Sequence, residues 1–353
     1  MNKKSKHIEI VRSTIKGLSS MSLVSCDAIY RVLSKHFTEV GISIVNSVTD
    51  LESLVVSQPD LVFLGMEFVL TDSLLPEETE PQKIWVSGYL DDHKIPYTGS
   101  SQAAFELGRD KPQAKERILK ANLRTPGYFV IKRYQLLEKD DITINFPLFI
   151  KPTNRGGGVG INSGSIVYSF EQLQARVDSI NAHFDSGSLI EEYLPGREFS
   201  VAILKDELSD DYRVMPIELI APADKNGCRI LSRQVKSSNT EQALEVNDEC
   251  LKSEVKTLAM NVFSALGARD YGRIDIRLDE QGTPHFLEAN LIPSLISGYG
   301  SFPKACKINI GADHESMIIQ IVNLGLCRAD CLDEPDIIDD LVMLSENMSF
   351  ERT

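Results

Sequence analysis

Four glycines fall within five positions at Gly156-Gly157-Gly158-Val159-Gly160. Backbone without Cβ atoms can approach an anion closely and offer it several N–H donors, which is the chemistry of a phosphate cradle. The run matches neither G-x-x-x-x-G-K-[ST] nor G-x-G-x-x-G, because the sixth position counted from Gly158 is Ser163. Standing alone it would read as a flexible hairpin tip. Lys151 lies five residues upstream, at the end of the apolar run Phe146-Pro147-Leu148-Phe149-Ile150. From there a long cation can reach phosphates held beneath the loop; the plainer alternative is a lysine snorkelling from a strand end.

A second cluster joins Arg273-Ile274-Asp275 to Glu288-Ala289-Asn290. In a strand, residues two apart share a face, so Arg273 goes with Asp275 and Glu288 with Asn290. Across a hairpin the two faces can coincide. Two carboxylates and an amide oxygen then form an all-oxygen site of the kind Mg²⁺ prefers when it also holds phosphates. The bland alternative is an Arg273–Asp275 ion pair. A third stretch, Leu189 to Glu198, is an apolar strand that turns at Pro195-Gly196 and re-enters as another strand. Such a hinge can present backbone N–H and C=O groups to a purine edge, with Glu198 accepting from ribose hydroxyls, although a plain acidic turn fits it too.

These residues need elements to hold them. The spacing predicts strands at 7–11, 42–45 and 61–65, a helix at 23–37, an acidic loop at 73–82 and a helix at 83–93, a βαβ-like first layer closed by a short strand at Tyr97. Helices at 100–107 and 111–122 follow, then strands at 128–131 and 146–151, the glycine turn, a returning strand at 165–167 and a helix at 170–182. The last unit is predicted to open with strands at 188–193, 198–204, 212–220 and 229–231 in one antiparallel sheet. A helix at 248–266, the hairpin 272–278/283–289 and helices at 301–307 and 314–324 complete it. The expected division is 1–99, 100–187, 188–328 and an acidic tail 329–353.

The chain has 353 residues, 42% of them hydrophobic, with 51 acids against 37 bases and a formal charge of −14. That field repels phosphate backbones and anionic membranes, so nucleic acid and membrane are excluded as partners. No apolar run suffices for a membrane span or a signal peptide, and a cytoplasmic protein is expected. The six cysteines are scattered; Cys327 and Cys331 lack a zinc spacing.

Taken in order, the motifs resemble the ATP-grasp carboxylate–amine ligases, most closely their D-alanine:D-alanine ligase branch. Tyr97-Thr98-Gly99-Ser100, Asp110-Lys111, Phe149-Ile150-Lys151-Pro152 with its glycine loop, Glu191 to Glu198, Arg273-Ile274-Asp275, and Glu288-Ala289-Asn290 with Pro293 carry the likeness from about residue 95 to about 326. The resemblance implies an α/β chain of three domains: a doubly wound N-terminal domain, and ATP held between two α+β domains. It implies that Lys111, Lys151 and Lys236 hold the nucleotide phosphates, and that Glu191, Glu192, Tyr193 and Leu194 form the adenine hinge with Glu198 on the ribose. It further implies that Asp275, Glu288 and Asn290 bind Mg²⁺, with Mn²⁺ as a substitute, and that Arg273, Lys236, Gly157 and Gly158 serve catalysis. Small carboxylate and amine substrates and a homodimer belong to the same expectation.

The departures lie on the substrate side. Gly157 and Gly158 stand where the branch has serines, Ser237 where it has tyrosine, and Ser294 and Tyr299 where it has glycine and serine. Residues 17–22 offer no matching Glu, and the His-Gly acidic loop is missing around 77–87. The expectation is an ATP-dependent ligase, ADP-forming, with altered substrates. The alternatives are an ATP-grasp enzyme with another or an intramolecular nucleophile, and a true D-alanine:D-alanine ligase. D-alanine should therefore be a poor substrate, because its ammonium would be buried without the partners the branch supplies. Steady-state kinetics giving D-alanyl-D-alanine at a kcat/KM of ~10⁴ M⁻¹s⁻¹ or more would contradict this.

Overall fold

The computed structural model describes residues 3–71, 82–184, 186–224 and 227–333. Strands β1 (Lys4–Arg12), β2 (Phe37–Ile44) and β3 (Leu61–Leu64) form a parallel sheet in the order β2-β1-β3. Alternation along β1 splits its side chains between two cores. Ile8 and Ile10 pack with Ile29 and Leu33 of α1 (Leu23–His36), while Val11 joins Leu51 and Leu54 of α2 (Val48–Val56) and Leu90 of α3 (Val86–Asp92). Helices cover both faces, as a parallel sheet requires.

Two short strands here differ from the sequence expectation. The segment expected as one helix from Lys83 begins as β5 (Lys83–Trp85), paired antiparallel with β4 (Phe68–Leu70). Trp85 stays extended and packs edge-on against Phe68, with ring centroids 5.3 Å apart, before α3 starts. The acidic loop expected at 73–82 lies outside the described residues except Gln82.

Helices α4 (Gln102–Arg109) and α5 (Lys111–Lys120) follow. Strands β6 (Tyr128–Ile131), β7 (Leu148–Pro152), β8 (Ile166–Val167) and β9 (Ser188–Glu192) make a small sheet ordered β6-β9-β7-β8, backed by α6 (Phe170–Phe184). The expectation that β9 opens the next sheet is corrected. It lies between β6 and β7, and its residues 188–191 are buried. A five-residue apolar run carries no record of which sheet it enters.

The large sheet is antiparallel, ordered β12-β11-β10-β13-β14, from β10 (Glu198–Lys205), β11 (Tyr212–Ile220), β12 (Gln242–Glu245), β13 (Tyr271–Leu278) and β14 (Pro284–Asn290). Between β11 and β12 runs the short helix α7 (Arg233–Ser238); the strand expected at 229–231 reduces to one bridge, Ala223 to Arg229. One sheet face packs Phe199, Val201 and Ile274 on α8 (Glu249–Ala265) together with α4 and α5, so those two helices belong with this sheet rather than the small one. The other face packs Ala202, Met215 and Ile217 on α9 (Ser301–Ile310) and α10 (His314–Asp333). The acidic tail beyond Asp333 lies outside the described residues.

Asp270 locks the N-terminal unit to the rest. Its carboxylate accepts from the Gly99 N–H at 3.0 Å and from Arg328 Nη1 at 2.7 and 2.6 Å, while Arg328 Nη2 donates to the Tyr97 carbonyl. Asp270 is only 4% exposed, so removing its cation leaves a buried charge underpaired. Arg328→Ala is expected to lower stability by roughly 2–3 kcal/mol in urea denaturation, against an unchanged midpoint if the clamp is idle.

Candidate active site

A cleft opens between the small and large sheets. Phe149 and Lys151 line it from β7, Glu191 to Leu194 from the end of β9, Glu198 from β10, Asp275 from β13, and Leu287 and Glu288 from β14, with Lys236 reaching in from α7. The elements converge because strand ends of both sheets meet there.

Its floor is an ion triad. Glu191, 2% exposed, places one oxygen 2.6 Å from Lys115 Nζ and the other 2.8 Å from Lys151 Nζ. Lys115 was not singled out in the sequence; it lies one helical turn beyond Lys111 on α5, and that spacing was the available signal. Lys115 is fully buried and donates to Thr125 Oγ1 at 2.6 Å, and Thr125 in turn donates to the Phe286 carbonyl on β14. Burial pulls the Lys115 ammonium down to about 8, against the opposing pull of Glu191. Burial also opposes charge on Lys151, yet Glu191, Glu288 and Glu198 outweigh it and hold Lys151 above the usual lysine range. Glu191 is held below the carboxylate range, burial being overcome by its two ammonium neighbours.

The opposite wall carries the second cluster. Residues Arg273 and Asn290 face each other across β13 and β14, as do Asp275 and Glu288, so the faces expected to coincide do so. Beyond Asp275 the register slips by one: Ile276 pairs with Phe286, and Leu287 is the extra residue that turns into the cleft. Arg273 grips Asp275 with two bonds of 2.9 Å, and Ser200 Oγ donates to the same carboxylate at 2.9 Å. The ion pair offered as the bland alternative is thus present. Burial would raise the Glu288 carboxyl, but Lys111, Lys236, Lys151 and Arg273 hold it down at about 2. Among the described residues no group of three or more His, Cys, Asp or Glu is arranged to bind a metal unaided. Two carboxylates plus an amide suit a hard cation that takes its remaining ligands from phosphate and water.

The glycine loop packs against Leu231, which lines the cleft. Gly157, Gly158 and Gly160 have φ of +63°, +76° and +78°, a backbone that side chains resist. A Cβ on Gly158 would lie 2.8 Å from the Arg233 nitrogen, so the loop rests directly on the start of α7. Lys111 Nζ donates to the Arg155 carbonyl and lies 3.9 Å from Glu288. Burial lowers the Lys111 ammonium, with Glu288 opposing. At the hinge Glu192 N–H is taken by Gly127 and Tyr193 N–H by Pro147. Of the substrate-side residues, Ser237 is exposed with its hydroxyl on the Gln234 carbonyl, and Ser294 and Tyr299 are half-buried in the segment after β14. None of the three lines the cleft.

A family model described as the D-ala D-ala ligase C-terminus matches residues 120–323. The chain belongs to that family. A D-alanine–D-alanine ligase of Bordetella petrii is 31% identical over 66% of this chain and 69% of its own, and one of Desulfotalea psychrophila is 26% identical over 90% and 94%. A crystal structure of the D-alanine–D-alanine ligase of Bacillus anthracis complexed with ATP superposes with a TM-score of 0.71 at 21% identity, covering 92% of this chain and 99% of that one. Family membership and fold place the chain among ATP-grasp ligases, with the α/β architecture expected.

Glu288 gives a pH signature. With its folded value near 2 and its ordinary value at 4.5, the stabilisation it contributes is complete above about 4.5 and is lost as pH falls toward 2. Denaturant titrations of Glu288→Gln from about pH 5 down to about pH 2 should show a shallower loss of stability than wild type. Parallel curves would show that the carboxylate is not held by its cations.

Proposed function

We propose that the cleft binds ATP with Mg²⁺ and that the chain joins an amino-acid carboxylate to an amine, releasing ADP and phosphate. The carrying observation is the facing of Asp275–Glu288 and Arg273–Asn290 across one hairpin, with Lys111, Lys151 and Lys236 near enough to Glu288 to hold its carboxyl down. Such a set of cations around two acids serves a polyphosphate and its metal. A carboxylate is a poor electrophile. Attack by its oxygen on the γ-phosphorus expels ADP and leaves an acyl phosphate; the amine then attacks the acyl carbon, and phosphate departs with the former carboxylate oxygen. Lys111, Lys151 and Lys236 neutralise the phosphates, and Arg273 steadies charge on the acyl phosphate. Mg²⁺, held by Asp275, Glu288 and Asn290, would supply charge neutralisation across the terminal phosphates. Gly157 and Gly158 offer backbone N–H groups from above, the hinge Glu192 to Leu194 takes the purine, and Glu198 the ribose.

The substrate side is the part of this reading in which Ser237, Ser294 and Tyr299 set an acceptor pocket different from that of the named relatives. Those relatives act on D-alanine by name, which supports the reading that this chain does too; the missing Glu and the changed loop weigh against it. Action in the cytoplasm as a homodimer belongs to the proposal. The described residues contain no helix long and apolar enough to cross a membrane.

A phosphate-release screen over carboxylate and amine pairs, with mass spectrometry of products, tests the function; release that ignores the second substrate would count against ligation. Lys151→Ala should weaken ATP binding by the roughly 1.5–3 kcal/mol of a charge-assisted contact, and Asp275→Asn should keep the fold while abolishing turnover. Calorimetric affinity equal to wild type, or full turnover, would refute the respective assignment.

A further inference from the structure

Arg277 lies two residues beyond Asp275 on β13 and so shares its face. It stands directly opposite Glu198 on β10. Its Nη1 donates to Glu198 Oε2 at 2.9 Å, its Nη2 to the Arg229 carbonyl at 3.2 Å, and its guanidinium carbon lies 5.5 Å from the centre of the Tyr193 ring. The residue is 9% exposed, and its buried Nε has no hydrogen-bond partner among the described residues. Glu198 and Arg277 line both the nucleotide cleft and a second cavity bounded by Arg197, Glu218, Ala221 and Arg229, so the pair is the wall between the two. Arg197 is spent on Glu218 through bonds of 2.9 and 2.6 Å and leaves Glu198 to Arg277.

A carboxylate in this wall is under pressure. Burial disfavours its charge, and Asp275 and Glu288 repel it from the cleft side. Arg277 and Lys236 oppose them, and among the described residues only Arg277 bonds it. Among the described residues no hydrogen bond engages Glu198 Oε1. We infer that Arg277 is a positioning residue for nucleotide sugar recognition: by tying down one oxygen of Glu198 it presents the other to a ribose hydroxyl and sets a preference for ribonucleotides over deoxyribonucleotides. The inference rests on the reading of the cleft as an ATP site.

Calorimetric titration with the magnesium complexes of ATP, 2′-deoxyATP and 3′-deoxyATP tests it. Wild type should bind ATP roughly ten-fold more tightly than at least one deoxy analogue, the effect of one hydrogen bond to a charged acceptor. Arg277→Met should weaken ATP more than that analogue, so that the ratio between them falls toward one, and Arg277→Lys should recover part of the difference. A role in packing alone would weaken all three nucleotides alike. If Arg277→Met does not fold, Arg277→Lys still decides: a discrimination ratio equal to wild type overturns the inference, and a reduced ratio supports it. Wild type that binds ATP without discrimination also overturns it, whereas wild type that binds no ATP overturns the ligase reading beneath it.

Discussion

Glu191 divides its carboxylate between two buried ammonium groups, and much of the site hangs from that arrangement. A carboxylate this deep is tolerated because both oxygens meet a cation, and each lysine is tolerated because it has that carboxylate. The three groups come from separate elements. Lys151 ends β7, Glu191 is on β9, and Lys115 rises from α5, which packs through Ala114 and Ile118 into the core beneath the large sheet. The triad therefore ties the small sheet to the large one at the floor of the cleft. Through Thr125 it also reaches the backbone of β14, two residues before Glu288.

From that floor the charge pattern follows. Arg273 and Asp275 neutralise each other, and Glu288 is surrounded by cations. Lys111 spends its donor on a loop carbonyl, an exchangeable partner that a phosphate oxygen could replace. The glycine loop is further held from its flank, where Arg176 of α6 donates to the Gly160 carbonyl and to Ser165 Oγ. Hydrogen bonds to the loop that use its carbonyls leave N–H groups over for an anion, which is what a cradle needs.

Much of this was legible in the sequence. The glycine run between two strands, the lysine at the end of the first, and the period-two alternation of Arg273, Asp275, Glu288 and Asn290 are local patterns that survive folding. The register then brought the predicted faces together. Arg277 was visible by the same alternation, one step further along β13. Lys115 had only its one-turn spacing from Lys111 to mark it, and a lysine at that spacing ordinarily reads as a solvated face that only tertiary packing buries. The membership of β9, the three-residue strands β4 and β5 and the helix at Val48–Val56 depend on long-range pairing or on caps such as the Ser47–Asp50 box, which a coarse periodicity reading passes over.

The central claim is that this arrangement phosphorylates a carboxylate rather than merely binding or hydrolysing ATP. The direct test is oxygen transfer: a carboxylate substrate that supports phosphate release is labelled with ¹⁸O in its carboxyl group, and the released phosphate is weighed by mass spectrometry. An acyl phosphate requires that one labelled oxygen leave with each phosphate formed during ligation. Phosphate carrying no label, with its extra oxygen drawn from water, would contradict the account.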